Sequence, residues 1–192
     1  MNEGKKTPGL IRMIPLLLVL VLAVIVLCAL VIFAPPKPKQ VSDSTKREIY
    51  DSLTKKDYNQ TIKLMSKLNQ KDGDKEFVCS TLGEANMGKG NYPEAVRNFE
   101  SCAKLYEGQK KSALYKNLVG NAYRLAGNSD LAIKNYKDAT ILNPFSQTAW
   151  VNLVMIDLTR GEKAQAAESA KEGLELMPQS EELKNLLKKT RE

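Results

Sequence analysis

Residues 113–144 read ALYKNLVGNAYRLAGNSDLAIKNYKDATILNP, and their spacing constrains the fold more than any other feature of this 192-residue chain. Apolar and small residues recur at helical intervals on both sides of a break at Gly127-Asn128, so the stretch reads as two helices joined by a tight turn. Gly120 and Ala132 are small where two antiparallel helices must approach closely, and Tyr123 and Tyr136 are expected to fill the space beside them. Pro144 closes the unit, because its ring and missing N–H forbid further helix. A 34-residue shift reproduces the pattern: Trp150, Leu153, Asp157 in the place of Tyr123, Gly161, Ala166, Ala170, Gly173 and Pro178 follow in register. One helix pair cannot bury its own apolar face, so a chain built this way has to stack its units.

The period and the residue types resemble the tetratricopeptide repeat (TPR), whose signature is W-x2-L-G-x2-Y, then A-x3-F, then P, at about 34 residues per unit. The resemblance extends over residues 42–192. Residues 76–112 carry Leu82-Gly83, then Gly90-Asn91-Tyr92-Pro93-Glu94-Ala95 and Phe99, but with Asn86 for the tyrosine and Glu107 for the proline. Residues 113–146 match best and 147–180 next. Residues 42–75 are a degenerate first repeat, with Ser42 and Asp57 as helix starts, Ile49 for the usual small residue and Thr61 for the usual alanine. Residues 181–192 are a capping helix, with Glu181 and Glu182 at its positive end and Lys188, Lys189 and Arg191 near its negative end. The resemblance implies an all-α fold, an α-solenoid of antiparallel helix pairs wound right-handed around a concave groove.

In this family the first helix of each unit lines the groove. Carried onto this chain, the groove residues are Phe77, Ser80, Glu84 and Met87, then Leu114, Asn117, Asn121 and Arg124, then Thr148, Val151, Asn152, Met155 and Leu158. For Phe77, Leu114, Val151 and Met155 the competing reading is ordinary core packing. The mixture suits an extended or helical peptide with a few anchoring side chains. Some members clamp the terminal carboxylate of chaperone tails. Here Asn121 and Asn152 match the clamp's asparagines, but Asn117 stands where its first lysine belongs, and Glu182 and Leu186 where its last basic pair belongs. Without those cations the carboxylate loses its charge-assisted partners, so that clamp is not expected.

The other dominant feature lies ahead of the repeats. Leu16–Ala34 runs 19 residues without a charge, about 28 Å as a helix, which is close to the hydrocarbon thickness of a bilayer. It shows no polar face and is longer than a signal-peptide core, and Ile32 stands where a cleavage site wants a small residue. We expect an uncleaved single transmembrane helix at 16–34 between a short basic tail, 1–15, and an extended Pro/Lys linker, 35–41. Cationic residues flank both ends, so the positive-inside rule barely discriminates. A very short basic tail stays in the cytoplasm, which places the repeats on the extracytoplasmic side, in a bacterial inner membrane.

Inventory narrows the function. The net charge is +7, but the basic residues are spread along the chain, which reads as a solvated surface and not as a nucleic-acid footprint. The absence of histidine removes the commonest general base and metal ligand, and no Ser/His/Asp set, phosphate loop or metal-ligand spacing is present. No enzyme activity, cofactor, metal or small-molecule substrate is expected. Cys79 and Cys102 lie early in the first and late in the second helix of one unit, ends that antiparallel packing brings together. They either form a disulfide, if the domain faces an oxidising compartment, or are two buried free thiols. The reading is a membrane-anchored scaffold that binds partner proteins and assembles or assists an envelope complex. The alternative is an organelle protein-import receptor or chaperone-docking adaptor whose groove faces the cytosol.

Overall fold

The computed structural model describes residues 22–27, 41–68 and 74–192, which fall into two units, residues 1–38 and 39–192. In the first unit only Leu22–Leu27 are described, as exposed helix. Among the described residues no helix is long and apolar enough to cross a membrane. The basic tail, most of the Leu16–Ala34 anchor, Cys28 and nearly all of the linker lie outside the described residues.

The second unit is helical throughout: α1 (Asp43–Thr54), α2 (Tyr58–Ser66), α3 (Lys75–Gly88), α4 (Tyr92–Leu105), α5 (Lys110–Leu125), α6 (Ser129–Leu142), α7 (Gln147–Thr159), α8 (Lys163–Leu176) and α9 (Glu181–Lys189). Each helix packs on the next in sequence. In addition α5 touches α7, and α7 touches α9, whereas successive second helices approach each other less closely. The first helices therefore lie on the inside of the stack. Starts are set locally: the side chains of Ser42, Asp57, Asn128 and Ser180 accept from the backbone N–H groups of Thr45, Gln60, Leu131 and Leu183. Turns within pairs fall on Gly90, Gly127 and Gly161, all at positive φ, and the degenerate first unit places Lys56 there at φ 58°.

Size matching across each pair decides the spacing. A Cβ on Gly120 would lie 2.5 Å from the ring of Tyr136, and one on Gly83 would collide with the ring of Phe99. Both rings are fully buried. In the fourth unit the sizes are exchanged, with Val154 at the first position and Ala170 at the second. The first unit uses Ile49 and Met65. Tyr136 alone fills the space beside Gly120. Tyr123, expected to share that task, stands half-buried between two core clusters instead, because the aromatic on α6 already occupies the contact.

The second unit is tied within itself and also to the third. Cys79 on α3 and Cys102 on α4 form a disulfide, with Cα atoms 5.6 Å apart. Beside it Glu76 accepts hydrogen bonds from the hydroxyls of Tyr106 and Tyr115 and from the Lys111 ammonium, at 2.5, 2.6 and 2.7 Å. The two tyrosine rings stack 6.1 Å apart, and Lys111 also lies over Tyr106. Three additional residues separate these units. They make α5 begin at Lys110, ahead of the position expected from the repeat, and so deliver Lys111 to Glu76. Lys111 first, then the two tyrosines, hold the Glu76 carboxyl down at about 2, against an ordinary 4.5. A depressed pKa adds stability above the ordinary value and loses it as pH falls through the folded value. Glu76→Gln should therefore melt lower than the unaltered chain at neutral pH, by about 1 kcal/mol after allowance for its partial exposure. The difference should disappear between pH 4.5 and 2, as followed by circular dichroism.

Candidate partner-binding surface

The inside of the stack is made by α1, α3, α5 and α7, and one position recurs on it in every unit: Tyr50, Glu84, Asn121 and Met155. Helical geometry puts residues one turn either side of this position on the same face. Tyr50 and Met155 are about half exposed, as is Leu114, two turns before Asn121 on α5. Arg124 and Thr148 are exposed, and Ser80, Met87 and Leu158 are half-buried.

At the amino-terminal end, Phe77 is half-buried edge-on against Tyr50, with ring centroids 5.6 Å apart. Lys46 lies over the Phe77 ring and pairs with Asp74 at 2.6 Å. This makes a small aromatic platform with one cation above it. Glu84 follows. Although exposed, it stands among the walls of the inner curve, and desolvation there pushes its carboxyl above the ordinary value.

The centre is polar and mostly occupied with itself. Asn152 donates to the side-chain oxygen of Asn117 at 2.9 Å, which links α5 to α7. Tyr136 donates to Asn121 at 2.8 Å, tying α6 to the inner face. At the carboxy-terminal end Gln147 reaches Glu182 on α9 at 3.2 Å.

Two residues expected to line the groove do not. Asn117 is only 5% exposed and Val151 only 6%. Asn117 is turned into the α5–α7 seam by its bond to Asn152, and Val151 belongs to the core cluster around Trp150 and Val154. The reason is common to both: adjacent first helices touch each other, so the residues facing the neighbouring helix are covered. Tyr50 and Lys46 were missed. Their signal was the same repeat spacing that singled out Glu84, Asn121 and Met155, carried back one unit into a repeat that otherwise matches poorly.

No family model matches this sequence, and no curated protein matches it. Solved structures do. The chain aligns with the APC/C hetero-tetramer Cut9-Hcn1 at a TM-score of 0.59 and 17% identity, over 75% of its own length and 29% of that chain. It aligns with two crystal structures of MamA at a TM-score of 0.57, one at 19% identity over 73% of this chain and 90% of that one. The other is 20% identical, over 78% of this chain and 87% of that one. The second unit thus has the TPR-like helical-repeat fold.

Proposed function

We propose that this chain is a protein-binding scaffold whose inner face holds a segment of a partner protein. The Leu16–Ala34 span anchors it in a membrane, with the repeats outside the cytoplasm, where it assembles or assists an envelope complex. The observation that carries the binding reading is the set of exposed apolar side chains on three of the four first helices, Tyr50, Leu114 and Met155, set among polar neighbours. Anchors at that spacing suit an extended or helical segment, with the polar residues between them fixing its register. The site calls for no catalysis. The Cys79–Cys102 bond supports the extracytoplasmic placement, because such bonds persist in oxidising compartments. The cytosol-facing alternatives fit it less well.

Two measurements test this. A photo-crosslinking residue placed in living cells at position 114 or 155 should trap the same partner protein, and one at Lys134, an exposed position on the second helix α6, should not. Equal trapping from all three positions would remove the groove from the reading. Protease added outside the inner membrane should digest a carboxy-terminal tag. Protection until that membrane is lysed would reverse the orientation.

A further inference from the structure

Asn86, Tyr123 and Asp157 occupy the same place in three successive units. Each lines a cleft: Asn86 one between α2 and α4, Tyr123 one between α4 and the turn that ends α5, and Asp157 one between α6 and α8. The three are not equivalent in what they leave unsatisfied. Asn86 donates to the carbonyl of Leu82 at 2.8 Å and accepts from Asn91 at 3.2 Å. Tyr123 fills its place with a ring. Asp157 is 97% buried, 3% exposed, and among the described residues its carboxylate takes part in no hydrogen bond or ion pair.

Its neighbour sharpens the contrast. The counterpart of Asn91 in the fourth unit is Glu162, so the mutually bonded amide pair of the second unit becomes two carboxylates. Arg160 pairs with Glu162 at 2.8 Å and with Asp130, and so is spent on them. Lys137 lines the facing wall on α6 without bonding Asp157. A buried carboxylate without a bonded partner costs stability, and Lys137 and Arg160 offset that cost only from a distance, so burial still pushes the Asp157 carboxyl up. The cleft it faces has a volume of ≈ 520 Å³ and apolar walls from Ile133, Ile141, Pro144 and Trp150. Glu168 and Glu172 stand on its rim. Apolar walls with a carboxylate at the floor suit a long cationic side chain, whose methylenes lie on the walls while its charged head reaches the acid. Among the described residues no three acidic or thiol groups converge as a metal site would require.

We infer that the cleft between α6 and α8 is a second docking site, on the outer side of the stack, for an arginine or lysine side chain of a polypeptide partner, with Asp157 as the anchoring carboxylate. It is independent of the inner face.

Trp150 is the only tryptophan of the chain and lines this cleft, so its emission reports occupancy. The full-length chain in detergent should give a saturable change in Trp150 emission when titrated with acetyl-Ile-Arg-Ile-amide. The citrulline peptide of the same shape should bind about tenfold more weakly or worse, having lost a charge-assisted contact. Asp157→Asn should weaken the arginine peptide as much without lowering the melting temperature, since an amide there can donate to a backbone carbonyl as Asn86 does. Glu168→Gln with Glu172→Gln should weaken it two- to threefold (about 0.5 kcal/mol), as exposed rim charges do. Met155→Ala, on the inner face, should leave the affinity unchanged. Equal affinity for the citrulline peptide or for Asp157→Asn, or no saturation, overturns the inference. So does the same emission change produced by magnesium or calcium alone and abolished in Asp157→Asn, which would make the cleft a cation site.

Discussion

Gly120→Ala is expected to lower the stability of the stack by about 1–3 kcal/mol, and Gly120→Leu to unfold it. The added Cβ meets the Tyr136 ring at 2.5 Å, and that ring has nowhere to go. It is fully buried, and its hydroxyl is held by Asn121. Because each unit buries its apolar face only against its neighbours, a failure between α5 and α6 removes support from the units on both sides. The fourth unit already contains the compensating solution, since Val154 and Ala170 exchange the sizes of Gly120 and Tyr136. Tyr136→Ala alone should cost about 3–5 kcal/mol through the cavity it leaves. Gly120→Val with Tyr136→Ala should be more stable than either single change, with a coupling on the order of 1–3 kcal/mol in a urea-denaturation cycle. Additive losses would show that the glycine is not there for the ring. Gly127→Ala separates this effect from backbone strain. A Cβ there meets nothing within 4 Å, and φ is +81°, so its cost should be only about 1–2 kcal/mol.

Removing the Cys79–Cys102 bond should cost a comparable amount by a different route. The bond closes a sequence separation of 23 residues, and a loop of that size restrains the unfolded chain by about 3 kcal/mol. Cys79→Ser with Cys102→Ser should therefore lower the urea midpoint and raise the slope, because the unrestrained unfolded chain exposes more surface. In the unaltered chain, reduction should shift the midpoint by a similar amount, and in the double variant it should do nothing. Both sulfurs are buried, Cys102 completely, so the effect should need partial opening of the α3–α4 pair and should appear slowly at neutral pH. Two free thiols in protein alkylated directly in cells would contradict both the bond and the oxidising compartment it supports.

Much of this fold is legible in a single sequence because repetition supplies its own alignment. The spacing that connects Gly83, Gly120 and Val154 marks the first helices, and Phe99, Tyr136 and Ala170 mark the second. The groove was less legible. Periodicity assigns a residue to a helix face, but the inner face of a curved stack has two zones, one open and one pressed against the next first helix. Leu114 and Met155 fall in the open zone, whereas Asn117 and Val151 fall in the covered one.

The cysteine pair shows the same limit from another side. Their positions near facing helix ends allowed a disulfide or two separate thiols, and only the 5.6 Å approach of the two backbones pairs them. Asp157 is the clearest case. In sequence it is a departure from the tyrosine of the repeat. In the fold it is a carboxylate enclosed by α6, α7 and α8 with no side chain bonded to it. The order and pairing of the helices follow from local spacing, because turns, caps and small-residue contacts are short-range and are written in consecutive residues. Which side chains remain available depends on how closely neighbouring units approach. That distance is set by side-chain volumes contributed from different repeats, so only the assembled stack determines it.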